Sequence, residues 1–328
     1  MSLSLRLCAG LAAALVLLTA CGPGTDADLE PVSERPSLDT LKAAFEDGLA
    51  KAQATTGPGY PPVWTLSDED TAIHLFGTVH LLRPDLEWQS DAFEAAFDGA
   101  DTLVLEVDVK SEAAQARLMT DFMMRGLYED GRTLRSVLTP ADQLVIEAAL
   151  DSVGLPLDAV NAFKPWLAAV NLSTMKLQAD GYQADAGVET LLDAEARAAG
   201  KRFAFLEDIS DQAEAFDGLS EDAQIDFLYQ TALLIEDSPR MLDLLVAEWA
   251  DGDMDGIATL VASPDASGLG DEAYEAILVR RNARWVPQIE AMLDRPGQIF
   301  IAVGAGHLAG PDSVITMLRQ RGHTVEGP

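Results

Sequence analysis

The period of the apolar positions changes along the chain. Val63–Leu66 and Ala72–Phe76 are short apolar runs separated by Ser67-Asp68-Glu69-Asp70, a cluster of turn formers, and this predicts two strands. Trp88–Phe97 is spaced as a helix, and Thr102–Val107 is apolar enough to be a buried strand. From Ser111 to about Gly200 the period is helical, punctuated by Pro140, Gly154-Leu155-Pro156 and Gly181. Arg202–Leu206 interrupts it as a short strand. Residues 208–294 are helical again, with breaks near Ser238-Pro239, Asp251-Gly252 and Ser263–Gly270. Gln298–Val303 reads as a strong buried strand, Pro311–Arg321 as a helix with proline in its first turn, and His323–Glu326 as a last strand. Strands thus cluster at the two ends, with one between two long helical stretches. The pattern predicts an α/β fold in which a mixed sheet, built from N- and C-terminal strands, carries large helical insertions. The first and last strands must meet to complete the sheet, so residues 60–328 are expected to form one domain.

The start of the chain follows different rules. Arg6 precedes an apolar run, Leu7–Leu18, too short to span a bilayer comfortably as a permanent helix. The run ends in Leu18-Thr19-Ala20-Cys21, which resembles a bacterial lipobox, so residues 1–20 are expected to be a lipoprotein signal peptide and Cys21 the lipidated N-terminus. Gly22 after that cysteine favours the outer membrane, facing the periplasm. Residues 21–59 then form a lipid-anchored tether and a short helix: 22–36 are rich in Pro, Gly and acids, and Ser37 can cap a helix carrying Leu38, Leu41, Phe45 and Leu49. Cys8 lies in the removed segment, so no disulfide is left to form.

Composition narrows the function classes. Hydrophobic residues make up 48% and charged residues 23%, a globular balance. Lys and Arg number 22 against 54 Asp and Glu, a net charge of −32, which argues against nucleic-acid binding and against adhesion through a basic patch. Membrane contact is expected only through the lipid. A carboxylate-rich chain leaves a metal site open.

Two blocks carry the candidate chemistry. Gly77-Thr78-Val79-His80 follows the strand Ala72–Phe76, and Gly304-Ala305-Gly306-His307 follows Gln298–Val303. In both, glycine permits a sharp turn at the carboxyl end of a strand, where α/β proteins place their sites, and a histidine is displayed just beyond it. A third strand ends in Leu105-Glu106-Val107-Asp108. If these strands are neighbours, His80, Glu106 and His307 converge, and two imidazoles with one carboxylate suit a divalent metal. Spacing alone leaves an alternative open, in which both histidines are capping or core residues. Asp108 shares a strand face with Glu106, but Glu106 lies nearer the buried run and is the preferred ligand.

Trp64–Leu82, Leu103–Asp108, Asp185–Glu189, Leu206-Glu207 and Ala302–Pro311 together resemble the TraB/GumN family, in order, over about 60–326. That family is grouped with the Tiki metalloproteases and, more distantly, with erythromycin esterases and ChaN-like haem-binding lipoproteins. The resemblance implies an α/β fold, a metal (manganese, cobalt or zinc) held by His80, Glu106 and His307, and a peptide or ester substrate. On this reading Glu207 or Glu189 serves as base or orienting carboxylate, and Arg280 or Arg284 steadies an oxyanion. Plainer roles stand beside these: helix-start acids for the two glutamates and surface ion pairs for the arginines. The chain is thus expected to be a membrane-anchored, metal-dependent hydrolase, or else a non-catalytic metal- or haem-binding envelope lipoprotein. Two further motifs fail. Asp251-Gly-Asp253-Met-Asp255-Gly256 begins like a calcium loop but has Ala262 where a bidentate glutamate is needed. Gly304-x-Gly306 is followed by too little chain for a nucleotide-binding unit.

Overall fold

Parallel strand pairing fixes where the site can lie. The computed structural model describes residues 37–84, 86–108, 110–262 and 270–328, so the expected signal peptide, Cys21 and most of the tether lie outside the described residues. Strands β1 (Val63–Ser67), β2 (Thr71–Thr78), β3 (Thr102–Leu105), β4 (Arg202–Phe205), β5 (Gly297–Gly304) and β6 (Val325–Glu326) form a sheet in the order β4-β3-β5-β2-β1-β6. β4, β3, β5 and β2 run parallel, while β1 is antiparallel to both β2 and β6. The mixed sheet does combine both chain ends, and its central strand β5 is the last of the parallel strands to arrive. The register aligns Thr78 with Gly304, and Leu105 with both Ala302 and Phe205. All four parallel strands therefore end at one edge.

Alternation along the strands divides the apolar residues between two layers. Phe76, Leu103, Leu105, Phe300 and Ala302 face one layer, where they meet helices α1 (Leu38–Ala52) and α2 (Asp91–Gly99). Ile73, Leu75, Val104, Ile301 and Val303 face the other. Ser37 caps α1 by accepting the Thr40 N–H at 3.2 Å; Leu41, Phe45 and Leu49 are buried, but Leu38 is exposed. The expected helix at Trp88 starts only at Asp91, because Ser90 caps it. Trp88 is left free to pack its ring 4.9 Å from Phe93 and 5.5 Å from Trp249.

The helical stretches form a layer of their own. α3 (Pro140–Ser152), α4 (Pro165–Ala179), α5 (Val188–Ala199), α6 (Ile209–Asp217), α7 (Glu221–Leu233), α8 (Ser238–Asp251) and α9 (Met254–Ala262) connect β3 to β4 and lead on toward β5. A separate core lies among them, where Trp166 of α4 stacks on Phe216 of α6 at 5.6 Å. α10 (Arg280–Met292) and α11 (Val314–Gln320) cover the second face of the sheet with Trp285, Val286, Ile289, Val314 and Leu318. α11 begins later than proline placement predicts, because Ser313 accepts the Thr316 N–H at 3.1 Å and sets the start. The acidic run at 251–256 is an interhelical turn: Asp251 accepts the Gly57 N–H at 2.6 Å and Asp253 the Gly256 N–H at 2.9 Å.

Two backbone contacts fix the turn after β2. Trp249 Nε1 donates to the Gly77 carbonyl at 2.8 Å, and the Val188 N–H donates to the Val79 carbonyl at 3.1 Å. Gly187, which precedes α5, lies against this turn so closely that an added Cβ would sit 2.2 Å from the His80 carbonyl oxygen. Neither backbone can yield without moving the turn, so Gly187→Ala is expected to cost about 1–3 kcal/mol. Gly99→Ala, with open space around it, is expected to be neutral or slightly stabilising. Urea unfolding of the two variants checks this; equal midpoints would contradict the close packing.

Candidate active site

Each of the four parallel strands delivers one polar residue to the common edge: His80 after β2, Glu106 after β3, Glu207 after β4 and His307 after β5. His80 and Glu106 line a cleft that they share with Glu189, Lys110, Phe205 and Gln212 among others, while Glu207 and His307 lie outside its lining. The position is the one expected for open α/β sheets.

Glu106 has the strand parity of Val104, so its side chain points toward α10. It is 5% exposed. Its Oε1 accepts the Gly304 N–H at 2.7 Å and its Oε2 accepts from Arg281 Nη2 at 2.6 Å. Burial alone would favour the protonated acid. The Arg281 charge, the nearby histidines and the Gly304 N–H outweigh it and hold the pKa down at about 2. Asp108 takes no part: its Oδ1 accepts the Lys110 and Ser111 N–H groups at 3.0 Å and shapes the turn after β3.

Arg281 is the cation of the site. It is 1% exposed and all its donors are committed. Nε reaches both oxygens of Glu207 at 3.0 and 3.1 Å, and Nη2 bridges Glu106 and Glu207 at 2.6 and 2.5 Å. Nη1 donates to the Ile277 carbonyl and to His307 Nε2, each at 3.1 Å. Two carboxylates offset the burial penalty and raise the guanidinium pKa further. Trp285 Nε1 completes the shell by donating to Glu207 at 3.2 Å.

His307 is held in one tautomer. Asn282 Nδ2 donates to the Asp312 carbonyl at 2.7 Å, which turns Asn282 Oδ1 toward His307 Nδ1 at 2.6 Å. Nδ1 therefore carries the proton and Nε2 accepts from Arg281. Burial and the adjacent guanidinium both disfavour a second proton, and the pKa falls to about 3. His80 is the opposite case. Its Nδ1 contacts Glu189, which also accepts from the Thr78 hydroxyl. Burial opposes the charged form of His80, but Glu189 and then Glu106 overcome it and raise its pKa. Its Nε2 has no hydrogen-bond partner among the described residues and lies on the cleft.

The sequence-predicted residues thus divide. His80, Glu106 and His307 reach the same strand edge, and Glu189 combines a place in the first turn of α5 with a contact to His80. Glu207 orients no histidine; it is a partner of Arg281. Arg280 and Arg284 are half-exposed, Arg280 pairing with Glu275 at 3.7 Å, and neither lines the cleft. The arginine that matters lies between them. Helical phase could have found it, since Ile277, Arg281, Trp285 and Ile289 recur every four residues on one inward face. The other two histidines are engaged elsewhere, His74 with Thr65 at 3.1 Å and His323 with Glu290 at 2.9 Å.

The expected metal does not fit the residues as arranged. Among the described residues no group of three or more His, Cys, Asp or Glu could hold an ion. His307 Nε2 and Glu106 Oε1 approach to 3.8 Å, but the histidine lone pair and the outer carboxylate oxygen both receive Arg281 N–H groups. The site supplies its own positive charge. Removing that charge leaves two buried carboxylates uncompensated, so Arg281→Met should destabilise the fold by about 3–5 kcal/mol. Glu207→Gln in the same chain should recover part of the loss. Denaturant midpoints of the single and double variants test this, and a single variant within 1 kcal/mol of the parent (about the cost of an ordinary substitution) would contradict it.

Comparison with known proteins agrees with this architecture. A family model described as the TraB/PrgY/gumN family matches residues 62–327. An uncharacterized protein of Treponema pallidum (strain Nichols) is 21% identical over 79% of this chain and 80% of its own length. Metalloprotease TIKI2 of Danio rerio is 28% identical over 42% of this chain, and the matched part spans 32% of that protein. No solved structure matches. The family match takes in all six strands and every residue of the strand-end site, and the chain belongs to the TraB/PrgY/gumN family.

Proposed function

We propose that this chain is a hydrolase of peptide or ester bonds in which His80 is the general base. The observation that carries the reading is the state of His80: its Nδ1 is held by Glu189, and its Nε2 is uncommitted at the cleft. A carboxylate on Nδ1 fixes the tautomer and stabilises the imidazolium that forms. Among the described residues the cleft lining contains no serine or cysteine, and its Thr190 hydroxyl donates to the Ala184 carbonyl at 3.0 Å, which favours water as the nucleophile. His80 Nε2 takes a proton as the water oxygen adds to the substrate carbonyl. It returns that proton to the leaving nitrogen or oxygen as the C–N or C–O bond breaks. Glu106, Arg281 and His307 supply the fixed polar floor beneath it. Arg281 has no free donor and contributes field and position only.

The similarity to a metalloprotease favours a second reading, in which turnover depends on a divalent ion. That ion would have to displace Arg281 from His307 and Glu106. Tethering through Cys21 to the outer membrane, with the cleft in the periplasm, belongs to the same proposal. Loss of radiolabelled palmitate in Cys21→Ser would support it, and retained label would refute it.

Peptide and ester panels, with and without chelator, separate the readings. The His80 base predicts chelator-resistant turnover and a loss of about 10²- to 10⁴-fold in kcat for His80→Ala. Abolition by chelator with recovery on adding manganese supports the second reading. A His80→Ala variant with unchanged kcat would overturn the first. The pH profile gives an independent check. His80 must be neutral to accept a proton, and its pKa is raised, so activity should fall as pH drops through that raised value. Glu189→Gln removes the main cause of the rise, so the acid limb should move to lower pH.

A further inference from the structure

The cleft wall holds two polar groups that the base chemistry leaves unused. Gln212, on α6, is 5% exposed, yet its carboxamide has no hydrogen-bond partner among the described residues. Its amide atoms are not among the enclosed, unpartnered polar atoms of the described residues, so they are open to water or a ligand in the cleft. Lys110, after β3, lies on the same lining and pairs with no acid among the described residues. The other charged lining residues are committed. Glu106 is bound by Arg281 and Gly304, Glu189 by His80 and Thr78, and Asp193 by Arg197 at 2.5 and 3.0 Å. Among the described residues Lys110 is thus the free charge of the cleft, and it is positive on a chain whose net charge is −32. Phe205, Leu105 and Val107 supply apolar wall.

A carboxamide offers one donor face and one acceptor face side by side. The N–H and C=O of a single residue in an extended peptide present the complementary pair. We infer that Gln212 and Lys110 form a recognition subsite for an extended peptide that carries a carboxylate near the scissile bond. Gln212 takes the peptide backbone, the apolar wall takes a side chain and Lys110 takes the carboxylate. The inference rests on the hydrolase reading for the word scissile, but the binding itself does not. Both residues are positioning residues. The carboxylate is either a chain terminus or an acidic side chain, and the two share this chemistry.

Binding and turnover are measured separately, so that each claim can fail alone. The binding probes are N-acetyl-Ala-Leu-Ala with a free carboxylate, the same peptide with a terminal carboxamide, and N-acetyl-Ala-Asp-Ala with a terminal carboxamide, each titrated into the full chain by calorimetry. At least one carboxylate peptide should bind about tenfold tighter than the uncharged peptide, as for one charged hydrogen bond. Whichever binds tighter names the source of the carboxylate. Lys110→Gln should abolish that preference while leaving uncharged peptide affinity unchanged. Gln212→Leu should weaken all three peptides by similar factors. Where a peptide is cleaved, both substitutions should raise KM with kcat retained. Equal affinity of the three peptides, or a preference that survives Lys110→Gln, would overturn the subsite even if peptides are hydrolysed. Selective binding without hydrolysis would uphold the subsite and count against the hydrolase.

Discussion

Arg281 joins parts of the molecule that are remote in sequence. One guanidinium, 1% exposed, touches carboxylates from the ends of β3 and β4 and the imidazole after β5. Burying three charges is expensive in isolation, and here the cost is offset because nearly every donor and acceptor is paired. The strand ends must therefore stay in register for the cluster to exist. The parallel pairing of β3 with β4 and β5 supplies that register.

The same constraint explains why the two histidines differ. His307 faces a positive charge across 3.1 Å and is kept neutral, with its proton fixed by Asn282. His80 faces Glu189 across the turn and attracts a proton. An identical Gly-x-x-His motif thus gives a neutral, fully paired imidazole at β5 and, at β2, one whose pKa is raised by an adjacent carboxylate. Context sets the chemistry, through the sign of the nearest buried charge.

Much of this was legible in the sequence. Apolar runs and turn formers locate the strands, and glycine followed by histidine beyond a strand marks the edge where both imidazoles lie. Glu106 was readable because its nearness to the buried run Leu103–Leu105 selects it over Asp108, which shares its strand face. Arg281 was obscured by its flanks, since three arginines within five positions look alike until helical phase assigns one of them to the face of Trp285. Its effect on the metal question could not be read from composition, because His and Glu at strand ends suit an ion equally well until an arginine is placed between them. Gln212 and Lys110 lacked any local signal. An amide on α6 and a loop lysine gain meaning only when both are seen to line the same cleft.

Anomalous diffraction from crystals of the domain grown with manganese tests the central claim most directly. The account predicts guanidinium density between Glu106 Oε2 and His307 Nε2, and no anomalous peak within ligand distance of either residue. A peak about 2.0–2.3 Å from His307 Nε2, with Arg281 turned away from Glu106, would contradict it.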